Sequence, residues 1–143
     1  MITLTRVEKI TKEIVQVGKL HYFSDEVFNL VKKIEGTGCR IACNYRPERS
    51  YLSHDKSEPL IRLEIQNRES PIQIIWDLLH EYGHFLSPTP EINAPDLSRE
   101  ILAWEKALEE VKLYSKLIIL IENFEEYKGK CLKTYQRHYD ANK

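Results

Sequence analysis

The chain has 143 residues, 42% of them hydrophobic, with 21 basic and 22 acidic side chains and a net charge of −1. That length suits one globular domain with a single core, and so even a balance of charge offers no basic field to a nucleic acid or an anionic membrane. Three cysteines, Cys39, Cys43 and Cys131, cannot all pair within one chain, which fits a reducing compartment better than a disulfide scaffold.

The first twenty residues contain no apolar run of signal-peptide length, because Arg6, Glu8, Lys9, Lys12 and Glu13 interrupt it. No stretch approaches the roughly 18 apolar residues of a membrane helix; the longest clean run is LIILI at 117–121. A soluble, cytoplasmic protein is expected, one domain over 1–143 with its core at about 24–127 and a tail at 128–143. Residues 24–35, SDEVFNLVKKIE, open on Ser24 as a cap, carry Val27, Phe28, Leu30, Val31 and Ile34 at helical spacing, and end at Gly36. CRIACN at 39–44 suits a short strand, which makes Cys39 and Cys43 small strand residues rather than half of a metal site. Tyr51 to Ser53 is a second short strand. LIRLEIQN at 60–67 alternates, with Ile61, Leu63 and Ile65 facing one way and Arg62, Glu64 and Gln66 facing solvent.

Ser70 then Pro71 starts a helix through PIQIIWDLLHEYGHFL, stopped by Pro88 and Pro90. A further helix begins near Asp96, its expected cap, with Leu97, Ile101, Trp104, Leu108 and Val111 along one stripe. It either runs on through YSKLIILIENFEEY or breaks near Ser115; Lys128-Gly129 is expected to end it, with the tail to Lys143 a short further helix or partly frayed.

Within the first of these two helices, His80-Glu81-x-x-His84 carries chemistry. Residues four apart on a helix lie one turn along and roughly 40° round, so both imidazoles project side by side and can share one cation. Glu81 stands roughly 100° from His80, placed to flank a metal and take a proton from water rather than to ligate. The bland alternative is a pair of core histidines bonded to neighbours. Ile74, Ile75, Leu78 and Leu79 place the first histidine beside an apolar surface, where unbonded imidazoles are costly. Gly83 inside the helix costs about 1 kcal/mol relative to alanine, which points to a close neighbour.

A catalytic zinc takes three protein ligands. The only histidine after His84 is His138, so the third ligand is expected to be a carboxylate from Glu91, Asp96, Glu100, Glu105, Glu109 or Glu110. Glu100 falls at the edge of the apolar stripe, on the side of Ala103 and Ala107, whose small side chains allow a close helix approach. Glu105 is borderline, and Glu109 and Glu110 fall outside the stripe. Glu100 could equally be a first-turn glutamate favoured by the helix dipole.

LLHEYGHFL followed by SREILAWEKAL resembles the motif pair of gluzincin metallopeptidases, most closely the short ImmA/IrrE-like and minigluzincin group, over roughly residues 60–110. The resemblance implies a small α+β zincin-like domain in which a short sheet precedes the motif helix and a second helix delivers a glutamate. It implies zinc on His80, His84 and Glu100, with Glu105 and Asp96 as fallbacks for the third ligand, and Glu81 as general base in peptide hydrolysis. It also implies a peptide or protein substrate, with a transcriptional regulator among the candidates, and an activity that can be latent. Trp104 stands where that group often has Asn or Asp. Strand addition at 60–67 is a plausible way to hold substrate, and Tyr114, Tyr127, His138 and Tyr139 have the chemistry to stabilise an oxyanion. The competing reading is a catalytically silent zinc-binding module of the same fold that works by protein interaction.

Overall fold

The computed structural model describes residues 4–47, 49–53, 58–87 and 96–141. In chain order these form α1 (Arg6–Gly18), a short 3-10 turn (His21–Phe23), α2 (Ser24–Gly36), β1 (Arg40–Asn44), β2 (Tyr51–Ser53), β3 (Leu60–Glu64), α3 (Ile72–Leu86), α4 (Asp96–Val111), α5 (Ser115–Ile118) and α6 (Ile121–Ala141). The molecule is a small α+β domain, and among the described residues no helix is long and apolar enough to cross a membrane.

α1 begins at a capping box: the Thr5 hydroxyl accepts from the Glu8 amide at 3.1 Å, and the Glu8 carboxylate accepts from the Thr5 amide at 3.0 Å. It buries Ile10, Ile14 and Val15, and stops where Lys19 turns left-handed at φ 60. α2 follows the 3-10 turn with no side-chain cap, so Ser24 is its first residue and not its N-cap.

The sheet has strand order β1-β3-β2, with β3 parallel to β1 and antiparallel to β2. β3 is therefore the central strand, paired with β1 over Leu60–Glu64 and with β2 over Leu60–Arg62, so both edges are taken over Leu60–Arg62, where an added strand would have to displace one of them. Ile61, Leu63 and Ile65 are buried as the alternation requires. Glu64 departs from it: its carboxylate is fully buried and accepts from the Gln66 amide at 2.6 Å and the Asn67 amide at 2.8 Å, with Arg68 at 3.3 Å. The strand ends there, so Glu64 caps a turn instead of continuing a solvated face. At the outer edge of β1, the Ile41 amide donates to Glu35 at 2.8 Å and its carbonyl accepts from Arg6 at 3.0 Å.

α3 packs against the sheet on one side and α4 on the other. It buries apolar residues nearly all round, including Ile74, Ile75, Trp76, Leu78, Leu79 and Tyr82, as a helix sandwiched between layers must. Its first turn is closed by the Ser70 and Pro71 carbonyls, which accept from the Gln73 and Ile74 amides, with no side-chain cap from Ser70. The long helical region breaks after Val111, and α6 then runs straight through Gly129. A glycine ends a helix readily when it turns left-handed; Gly129 does not, and here it is simply an open helical position.

Candidate metal centre

α3 and α4 cross almost in backbone contact. A Cβ added at Gly83 would lie 2.1 Å from the Ala103 carbonyl oxygen, so only glycine permits this approach. The crossing also sets which face of α4 is buried. Ala103, Trp104, Ala107, Glu110 and Val111 are buried, whereas Ile101 is 43% exposed. The expected stripe through Leu97, Ile101 and Leu108 is thus rotated toward the small residues, because closest approach outweighs side-chain size. Glu110, placed outside the stripe by sequence, is inside it and bonded through both oxygens to the Lys33 ammonium at 2.9 Å.

At this crossing the structure brings His80, His84 and Glu100 together, with one potential ligand atom from each lying within 4.8 Å of the others. Glu100 Oε2 is 2.6 Å from His84 Nε2, and Oε1 is 3.2 Å from His80 Nε2. All three side chains are 14 to 19% exposed, partly buried but reachable. Glu105 is exposed on α4, away from this cluster. Glu91 and the side chains of Asp96, His138 and Tyr139 lie outside the described residues.

Two imidazole nitrogens and a carboxylate oxygen form a donor set that suits zinc. The described geometry adds an independent reason to expect a cation: His80 Nε2 is buried and has no hydrogen-bond partner, since its 3.2 Å approach to Glu100 is not aligned as a hydrogen bond. Without metal the cluster leans toward protons. Burial pulls the His80 pKa down, but the Glu100 and Glu81 carboxylates outweigh it and lift it to about 9. Burial pushes Glu100 up, yet His80 and His84 hold it well below the usual carboxylate range. A divalent cation would take the place of those protons.

Glu81 is 7% exposed, and its Oε2 lies 3.2 Å from His80 Nδ1, on the side of the ring away from Glu100. The Trp104 ring is stacked on His80 at 4.1 Å between centroids and 7° between planes. One turn before the motif, buried Asp77 accepts from the Tyr127 hydroxyl at 2.6 Å and from Arg68 at 3.3 Å. Desolvation dominates this carboxyl and lifts its pKa to about 6 despite both donors.

These contacts sort the expected oxyanion donors. Tyr127 is committed to Asp77, and burial beside that carboxylate pushes its phenol far up. Tyr114 interacts with Lys33, Glu110 and Tyr82, at the opposite end of α4 from Glu100. Sequence reading missed Asp77, although a lone acid in the apolar run IIWDLL is itself a signal that a buried donor must meet it. Trp104 was legible as a member of the apolar stripe and as a departure from a family pattern, but not as a neighbour of His80. Compared with known proteins, the chain matches no family model, no curated protein and no solved structure.

Proposed function

We propose that this protein is a zinc-dependent peptide hydrolase of the small zincin kind, related in design to the ImmA/IrrE-like and minigluzincin group. The observation that carries the reading is the meeting of His80, His84 and Glu100 from two helices at a crossing that only Gly83 allows. His80 and His84 would hold the metal from α3, and Glu100 from α4. Zinc, when bound, supplies Lewis acidity that brings the pKa of water toward 7 and polarises a peptide carbonyl. Glu81 would take the water proton on its carboxylate as the water oxygen adds to the carbonyl carbon, and would deliver it to the amine nitrogen as the C–N bond breaks. To do so it would have to leave its 3.2 Å contact with His80 Nδ1. The substrate would be a peptide or protein, with a regulatory protein as one candidate.

Glu81 resting on His80 Nδ1 also favours a second reading, a zinc-binding interaction module in which this carboxylate only orients the ring. One pair of experiments separates them. Elemental analysis should find about one zinc per chain in protein purified without chelator, weakened or lost in Glu100→Ala; no metal even after zinc is supplied would overturn both readings. Cleavage of an unstructured protein such as casein, lost in Glu81→Gln with zinc retained, supports the hydrolase. Cleavage unchanged in Glu81→Gln rejects Glu81 as the base, and zinc uptake without cleavage of any tested substrate leaves the module.

A further inference from the structure

We infer that Trp104 is a positioning residue for the metal site: its indole, stacked on His80, holds that imidazole in ligating orientation in place of the hydrogen-bonding side chain that usually does so. The inference rests on the metal reading above and specifies how this particular site keeps its first ligand in place.

A ligating imidazole generally has its second nitrogen bound to an acceptor that fixes ring rotation and tautomer. Here, among the described residues, the acceptor beside His80 Nδ1 is Glu81, at 3.2 Å. That carboxylate is the proposed base, and it cannot grip Nδ1 and serve the reacting water at once. A second restraint is needed, one that survives when Glu81 turns away. Trp104 meets the requirement. It stands four residues after Glu100 on α4, so the ligand and the clamp share one helix face. The two rings are parallel to within 7° at 4.1 Å, a contact that constrains tilt yet leaves both ring nitrogens free at their edges.

The indole is itself braced. It makes edge contacts with Phe124 at 5.7 Å and Tyr127 at 6.2 Å, both from α6, and is 2% exposed. α6 thereby supports the metal site through Tyr127 to Asp77 below the motif and through Trp104 to His80. The His84 ring lies tilted 56° from that of His80 at 4.7 Å and, among the described residues, is not stacked on an aromatic; its Nε2 is held by the 2.6 Å contact with Glu100. The two histidines are thus oriented by different means, and His80 Nε2, buried without a bonded partner, keeps its direction by stacking.

The test compares Trp104→Phe, which can still stack, with Trp104→Leu, which cannot. Zinc affinity is read by competition with a chromophoric chelator, and ligand geometry by the visible absorption of the cobalt-substituted protein. Trp104→Phe should bind within about threefold of the unmodified protein, while Trp104→Leu weakens by about tenfold or more and its cobalt bands shift. Equal weakening in both variants, or undiminished binding in Trp104→Leu, overturns the inference while leaving the metal site intact. No zinc uptake by the unmodified protein removes the metal reading and this inference with it. Should Trp104→Leu not fold, the unmodified metal-free protein still decides: His80 ring protons must show the upfield shift of a nucleus above an indole, and ordinary positions overturn the stack.

Discussion

α4 carries two inward-facing glutamates ten residues apart, and their surroundings are opposite. Glu110 meets the permanent cation of Lys33, both oxygens bonded at 2.9 Å, and the charge is settled within the protein. Glu100 meets two imidazoles, which are cations only while protonated, at a point where one buried nitrogen has no bonded partner. A buried carboxylate is thus no indication of a metal by itself. What distinguishes the two ends is whether the partner's charge is permanent or exchangeable, because an exchangeable proton can give way to a metal ion.

The largest way to break this contrast is at the crossing. Gly83→Ala would force a methyl to 2.1 Å from the Ala103 carbonyl, so α3 and α4 must separate. A loss of about 3 kcal/mol or more is expected in urea unfolding, with zinc uptake lost and the distant Lys33 to Glu110 pair still formed. Wild-type stability in this variant would mean that the helices are not in contact. Next, Glu100→Gln should weaken zinc binding by about 100-fold or more, since even outer partners of a ligand are worth 10 to 100-fold. Glu110→Gln should leave it unchanged; matched losses in the two variants would erase the distinction drawn here.

Asp77 sharpens the comparison through pH. Its pKa is raised from 3.8 to about 6 by burial, so the folded chain holds a proton that the unfolded chain releases between those values. Its contribution to stability is therefore present below pH about 4 and is lost as pH rises through about 6. Asp77→Asn should flatten that fall, worth roughly 3 kcal/mol, in unfolding midpoints of metal-free protein compared across the window; an unaltered pH slope would show that Asp77 is not the group responsible. Smaller still, Glu110→Gln should cost about 1 kcal/mol, because the Lys33 side chain is 39% exposed and can turn to water. Last, Gly129→Ala in α6, where an added Cβ meets nothing within 4 Å, should raise stability by up to about 1 kcal/mol and leave both ends of α4 alone. A decrease would place Gly129 in a non-helical geometry.

The helices of the site were readable because period and punctuation agree there: a proline start, an apolar run and two following prolines bracket the motif helix. Glu100 was readable from its spacing to Ala103 and Ala107. The rest depends on contacts that no single element encodes. The α4 face rotated because Gly83 on another helix meets Ala103, and Glu110 turned inward because Lys33 on α2 was there to meet it. Glu64 broke an apparent alternation because the chain turns directly after it, making backbone amides available to its carboxylate. The α1 helix carries its own start signal, Thr5 and Glu8 three residues apart, although the charges between its apolar positions mask the helical period.

The strand order has a kinetic consequence. β1 and β2 are neighbours in sequence, yet among the described residues each pairs with β3, which inserts between them, and not with the other. Neither early strand gains a ladder until residues 60–64 arrive, and those residues lead directly into α3. Sheet and motif helix should therefore form in one cooperative step, with β3 in the folding nucleus. Shortening Ile61 or Leu63 should slow folding more than it speeds unfolding, and stopped-flow refolding of Ile61→Val would show it.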